Sequence, residues 1–377
     1  VSQSELSATP RPVPMPLSGR RDPLVLPLLM LLALVFAVHA SLRGLRSDYD
    51  AAAYANWFEL ISKFSPAEFW RALQESNVYF QGDLFFSFEI GFAVLSFLIT
   101  RVVGSVEGFF FVLTLLGLAT KLLAIQRSCP RPGWALLWYF SWYYLLLEMT
   151  TQRAGLAASL VLMGFPALFA GRYWRFLLFT LAAGLFHVSA VMALMLVPLR
   201  WRPFGPKGLL LLMLLGFALS AMSLLPLVEL VGQFNDKIAE YYKLFMEVGF
   251  YESVNKFNVV VLLRLLLLAI GIFGASAEFK TLPGYALAVN IFAASIFFYY
   301  AFASFPLVGG RVYEFLGVFQ IYFIGYYAQI FRRNLLAMGL LILVLLMQFY
   351  ALVFHVKFVD FFYFIGNSYN IETQHRK

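Results

Sequence analysis

Long apolar runs broken by short polar connections dominate this chain. Eleven runs approach the about 20 residues that a helix needs to cross a bilayer. They are Leu24–Leu42, Leu84–Val103, Gly108–Ile125, Trp134–Met149, Ala154–Ala170, Phe176–Leu199, Gly208–Leu230, Asn258–Ala277, Gly284–Phe305, Phe315–Phe331 and Leu335–Phe354. Two longer connections, 43–83 and 231–257, read as external loops with interfacial helices. In the first, Asp50–Phe64 sets Tyr54, Trp57, Phe58 and Ile61 at i, i+3, i+4 and i+7, the spacing of one apolar helix face. A second short helix is expected after Ser65, with Ser65 as N-cap and Pro66 at its first position. No heptad is sustained and no solenoid repeat appears. The fold expected is an all-α polytopic membrane protein of about 9–11 transmembrane helices. A flexible cytoplasmic tail covers 1–23, the helical membrane domain 24–355, and a C-terminal tail 356–377.

Composition turns that pattern into a class. Of 377 residues, 62% are hydrophobic and only 13% charged, about half the charge of a soluble domain. A single water-soluble core cannot bury so much apolar surface, so lipid must solvate most of it. The net charge of +8 does not indicate nucleic acid, because most basic residues sit in the connections, where they set topology. One cysteine, Cys129, excludes an intramolecular disulfide and a cysteine-based metal site.

Charge placement also complicates simple alternation. Arg11, Arg20 and Arg21 put the N-terminus inside, but eleven full crossings would put Arg127, Arg131, Arg172 and Arg175 outside. The conflict disappears if two segments turn back. Phe176–Leu199 has basic residues at both ends and His187 at its middle, so two half-helices meeting there return the chain to the side it left. A partial excursion within Leu84–Ile125, which carries Glu89, Arg101 and Gly104, restores the earlier parity. Non-helical backbone at such depth requires surrounding protein or a water-filled cavity. Thr150–Arg153, Gly232–Phe257 and Pro306–Glu314 then share the outer face with 43–83 and the C-terminal tail, and Glu89 and His187 approach it from within.

Ionisable residues at membrane depth are costly, which makes each a functional candidate. Asp48 and Asp50 follow Arg46 in RGLRSDYDAAAY, where a hydrated loop is the ordinary alternative. Glu89 in FSFEIGF is either a paired buried carboxylate or a general base. Arg153 in TTQRAGLA opens a helix of small residues, and a cation there opposes the helix dipole, which argues for an anion beside it. His187, Arg264 in VVVLLRLLLL, and Arg311 with Glu314 in LVGGRVYEF complete the set. The Gly309–Gly310 pair before Arg311 allows close approach of backbone to ligand. Walker A, GxGxxG and HExxH patterns are absent from the sequence, and no cofactor is expected.

The ordered series Arg46–x–Asp48–Tyr49…Tyr54, Glu89–x–Gly91–Phe92, Gln152–Arg153–x–x–Leu156–Ala157, Phe186–His187–x–Ser189–Ala190 and Gly310–Arg311…Phe315 resembles the EpsG family, Wzy-like bacterial exopolysaccharide and O-antigen polymerases. The resemblance spans about Leu24 to Phe354. The spacing from Asp48 to Tyr54 is longer than the family pattern and leaves Asp48 and Asp50 both open as the matching carboxylate. The resemblance implies a metal-independent, inverting glycosyltransferase with a GT-C-like fold in the bacterial inner membrane, its active site on the periplasmic face. It implies as substrate an oligosaccharide linked to undecaprenyl pyrophosphate, and as partners membrane lipid, a chain-length regulator and a flippase. Arg153, Arg311 and Arg264 would then meet the pyrophosphate, and Glu89, His187, Asp50 or Asp48 would serve as base. Arg46, Tyr54, Gln152 and Glu314 would support them. The competing readings are a transporter or flippase of lipid-linked glycan, an O-antigen ligase and a membrane acyltransferase.

Overall fold

The computed structural model describes residues 24–42, 49–74, 78–80, 83–85, 89–200, 204–222, 229–230, 255–282, 284–303 and 306–355; for 49–50, 78–80, 83–85, 306–311 and 355 it describes the backbone alone. In chain order α1 is Val25–Ser41, α2 Tyr49–Ser62 and α3 Pro66–Gln74. A hairpin of β1 (Val78–Phe80) and β2 (Asp83–Phe85) follows. Next come α4 (Ile90–Thr100), α5 (Val106–Ser128) and α6 (Pro132–Trp138), which continues through π turns at Tyr139–Tyr143 and Leu145–Thr150. Then come α7 (Gln152–Phe169), α8 (Tyr173–Gly184), a 3-10 turn Val188–Met195 running into α9 (Leu196–Leu199), and α10 (Pro206–Ala221). The last helices are α11 (Val259–Gly274), α12 (Ala277–Lys280), α13 (Tyr285–Ala301), α14 (Pro306–Gly317), α15 (Ile321–Ile330) and α16 (Leu335–Tyr350).

Among the described residues, three helices have the length and apolar character to cross a membrane: Val106–Ser128, Gln152–Phe169 and Leu335–Phe354. Six shorter apolar ones accompany them, including Val25–Ser41 and Tyr285–Ala301. At 1.5 Å per residue a 17-residue helix reaches about 26 Å, close to the hydrocarbon thickness. The chain is therefore a helical membrane protein, as its apolar pattern indicates. Rows of exposed leucines on α1, α10, α11 and α16 are the faces a bilayer would cover. The interior holds Trp138, Tyr139, Tyr143, Phe165, Phe292 and Tyr322 at its centre.

Two expected boundaries change. The Leu84–Val103 run is not one span: residues 83–85 pair antiparallel with 78–80, and the helix begins only at Ile90. Val78-Tyr79-Phe80 and Leu84-Phe85 are strong strand formers, and paired with each other they satisfy backbone that a helix would otherwise take up. This pair of three-residue strands leaves the fold the all-α membrane protein expected. Pro306–Glu314, expected on the outer face between two apolar runs, is helical from its first residue, so Arg311 and Glu314 ride on α14. Pro at the first helical position explains the early start.

The two short helices expected within 43–83 form. Tyr54, Trp57, Phe58 and Ile61 on α2 are buried against a cluster containing Phe92, Phe97 and Phe109. Ser65 and Glu68 close a capping box, Ser65 N–H donating to Glu68 Oε2 at 2.7 Å and Glu68 N–H to Ser65 Oγ at 3.3 Å. Those hydrogen bonds hold the Glu68 carboxyl below its usual range.

The returning segment forms too. α7 ends at Gly171, whose φ of +70° a side chain would resist. α8 runs back beside α7, the helix breaks at Leu185–His187, and α9 returns to the starting end. There Arg200 donates to the Phe169 carbonyl at 3.1 Å and to the Tyr173 hydroxyl at 2.8 Å. Entry and exit of this re-entrant hairpin are thus bonded to each other. The same end holds the close of α5, since Ser128 Oγ lies 2.8 Å from the Tyr322 hydroxyl, and Tyr322 stacks on Phe165 with centroids 4.3 Å apart. Gly325 abuts Pro130 and Arg131. Arg127, Arg131, Arg172, Arg175 and Arg200 therefore gather at one end, the sorting that a membrane potential and translocation machinery impose on short basic loops.

Candidate active site

Three interrupted helices meet away from that basic end. α4 begins at Glu89, α7 begins beside Arg153, and the α8 hairpin turns at His187. Gly91 brings two of them together: its N–H donates to the Leu185 carbonyl at 2.8 Å, and a Cβ at Gly91 would stand 2.7 Å from that oxygen. The third is recessed. Gln152 Nε2 donates to Thr114 Oγ1 at 3.1 Å, and Thr114 sits eight residues inside α5, which starts at Val106. α7 therefore opens roughly 12 Å below the start of α5.

Glu89 is the centre of the site. Its Oε2 accepts from Arg153 Nη1 at 2.7 Å, and its Oε1 lies 3.2 Å from His187 Nδ1 and accepts from the Val188 N–H at 3.3 Å. Arg153 Nε also donates to the Tyr54 hydroxyl at 3.4 Å, and Tyr54 packs against Phe92 on α4. The anion that Arg153 needs at its helix N-terminus is thus supplied within the chain by Glu89. All three groups are largely buried, with 12% of the Glu89 side chain exposed, 16% of His187 and 23% of Arg153. Charges at this depth interact more strongly than in water. A carboxylate on Nδ1 fixes the ring so that Nε2 is the nitrogen presented for proton transfer.

Behind Arg153 lies a buried network that the sequence reading passed over. Lys121 Nζ pairs with Glu148 Oε1 at 2.7 Å, and the Tyr139 hydroxyl donates to the same oxygen at 2.5 Å. Gln152 Nε2 donates to the Glu148 carbonyl at 3.0 Å. Both charged residues are essentially without solvent. Gln152, expected as a supporting residue, therefore ties the first turn of α7 to this pair. The depth rule that marked Glu89 marks Lys121 and Glu148 equally, because each interrupts an apolar run.

Arg264 does not join Arg153. It is wholly buried, with its guanidinium donating to the Tyr313 hydroxyl and to Gln348 Oε1, the latter at 2.6 Å. It faces the rings of Trp138, Trp142 and Tyr313. Its helix, α11, packs on α16 and α13 rather than on α4 or α8, which separates it from the Glu89 cluster. No described side-chain hydrogen bond or ion pair joins Arg264 to the Glu89 cluster. Glu314 lies on α14 and is half-buried. The Asp50 and Arg311 side chains, and Asp48 and Arg46, lie outside the described residues. His39 bonds the Tyr144 hydroxyl through Nδ1 at 2.7 Å.

The EpsG family model matches residues 27–367. The chain belongs to the EpsG family. That match runs through every element of the site, from α1 past α16. No curated protein and no solved structure matches it. EpsG family proteins are Wzy-like polysaccharide polymerases, so this one is a polymerase-like membrane protein of the glycosyltransferase kind. Among the described residues no group of three or more His, Cys, Asp or Glu side chains could hold a metal ion.

Proposed function

We propose that this EpsG family member is a polysaccharide polymerase that moves a growing glycan from undecaprenyl pyrophosphate to the next lipid-linked repeat unit on the periplasmic face of the bacterial inner membrane. The observation that carries the reading is the Arg153–Glu89–His187 cluster at the junction of three helix ends. Its position away from the basic end of the molecule supports the periplasmic face.

The chemistry follows from that constellation. The acceptor hydroxyl forms a bond to the anomeric carbon as the bond from that carbon to the pyrophosphate oxygen breaks. The hydroxyl proton passes to His187 Nε2, with Glu89 on Nδ1 orienting the ring and stabilising its cationic form. Negative charge grows on the departing pyrophosphate, and the Arg153 guanidinium, always charged, is the group that would stabilise it. A single displacement inverts the anomeric centre. Tyr54 holds Arg153 from the interfacial helix α2, and Arg311, Asp50, Asp48 and Arg46 are further candidates for the substrate's polar groups. In this reading the fold is related to the GT-C membrane glycosyltransferases, and a chain-length regulator and a flippase work beside it.

Arg153→Gln tests the assignment. Loss of one oxyanion-type donor costs about 10²–10³ in turnover, so polymer should vanish while the protein still inserts at wild-type level. Full polymer yield from an inserted Arg153→Gln protein would refute the site. A transporter reading predicts glycan export without any new glycosidic bond, which the same assay separates.

A further inference from the structure

The helix that presents Arg153 starts from a break in the chain. Thr151 leaves the helical conformation at φ −92° and ψ 57°, which frees carbonyls of the preceding π turn. The Leu146 carbonyl accepts from the Thr151 N–H at 2.9 Å, from Thr151 Oγ1 at 3.0 Å and from Thr150 Oγ1. The Glu148 carbonyl accepts from Gln152 Nε2 at 3.0 Å and from Thr114 Oγ1 at 3.4 Å. Gln152 spends its second amide hydrogen on Thr114 at 3.1 Å. The residue before Arg153 is therefore fixed to one carbonyl of the π turn and to one hydroxyl of α5.

The side chain of Glu148 holds that carbonyl in place. Thr114, Gly117 and Lys121 stand at i, i+3 and i+7 on α5, which is one helix face. A Cβ at Gly117 would stand 3.1 Å from Glu148 Oε2 and 3.4 Å from Lys121 Nζ, so the glycine leaves room for the ion pair. Tyr139 reaches the same carboxylate across nine residues. Nine residues are about two and a half turns of an α-helix, which would put the two side chains on opposite faces. The wider π turns, closed by i→i+5 bonds, bring them to one side. A buried ion pair is no more stabilising than apolar residues of the same volume, and its best-attested use is to fix register. Register is what apolar helix faces in lipid specify poorly, because the tails are as apolar as leucine.

We propose that Lys121, Glu148 and Tyr139 are positioning residues for glycan transfer, which set the depth of Arg153 through the Glu148 carbonyl, Thr114 and Gln152. The proposal rests on the polymerase reading, in which Arg153 stabilises the departing pyrophosphate. None of the three touches substrate, since the Lys121 and Glu148 side chains are 0% and 2% exposed and Tyr139 is fully buried. Their effect is on the place of the guanidinium. Stabilisation of a growing charge depends steeply on that place, and a shift of about 1 Å can cost about 100-fold in rate.

The test measures kcat and KM of full-length protein in nanodiscs, per folded molecule, beside its unfolding temperature. The substrate is the lipid-linked repeat unit extracted from the producing bacterium after deletion of this protein. Lys121→Met with Glu148→Leu keeps the packing volume and removes the pair. Its unfolding temperature should stay near wild type while kcat falls about 100-fold and KM moves less than about threefold. Tyr139→Phe keeps the ring, loses one hydroxyl and decides the matter if the double variant fails to insert; its kcat should fall about tenfold. Adding Tyr139→Phe to Gln152→Ala should cost nothing more, because residues that act through one another are not additive. Wild-type kcat in Tyr139→Phe or in the inserted double variant would overturn the proposal. So would a loss that vanishes once yields are corrected for folded protein, or one that multiplies fully with that of Gln152→Ala. Each of those results leaves the polymerase reading standing, whereas wild type that joins no sugars defeats both.

Discussion

Glu89 serves two partners at once, and that double role sets what each substitution should do. Its carboxylate neutralises Arg153 through one oxygen and orients His187 through the other. Lys121 and Glu148 are a second such pair, one layer behind, with Tyr139 as third member. Breaking a buried pair from one side leaves an unpaired charge and costs about 3–5 kcal/mol, whereas replacing both members with apolar residues of similar volume is often neutral or stabilising. Glu148→Leu should therefore lower the thermal unfolding temperature in detergent sharply, and Lys121→Met with Glu148→Leu should recover most of the loss. An unchanged unfolding temperature in the single variant would show that the pair does not hold the start of α7. In the sequence, Glu89 and His187 stood out because each interrupts an apolar run, and Arg153 because it opens a helix against the dipole. Depth could not show which of them meet. The contacts span 64 residues between Glu89 and Arg153 and 98 between Glu89 and His187, a separation that only tertiary packing closes. For the same reason the sequence could not show that Arg264 bonds Tyr313 and Gln348.

At the scale of elements, the re-entrant hairpin is what delivers His187. The basic residues on both sides of Phe176–Leu199 made the turnback legible, since a full crossing would have stranded one set on the wrong side. The β-hairpin before α4 was not legible, because its strand formers merge into a continuous apolar run. α14 was hidden by its Gly309–Gly310 pair, which reads as loop until the packing of α14 on α13 overrides local propensity. The turnback has a direct check. With buried Cys129 replaced by alanine, single cysteines at Arg172 and Arg200 should both react with a membrane-impermeant maleimide from one side, and a cysteine at exposed Gly104 from the other. Labelling of positions 172 and 200 from opposite sides would mean that the segment crosses and that the site is assembled differently.

For the molecule as a whole, polarity is the organising feature. Basic loops collect at one end, and the recessed helix ends with Glu89, Arg153 and His187 open away from it. Broken helices at depth are tolerable only where protein or water surrounds them, so the recess doubles as a place for a polar headgroup beside lipid. The chain's membership of the EpsG family is what links the recess, in the proposed function, to glycan transfer. The most direct measurement is gel analysis of the lipid-linked product made by purified protein from a single defined repeat unit. A ladder of products, absent from Arg153→Gln and His187→Ala proteins that insert normally, is the result this account predicts. A single shifted band would make the protein a ligase, and unchanged starting material from active, inserted wild type would contradict glycosyl transfer altogether.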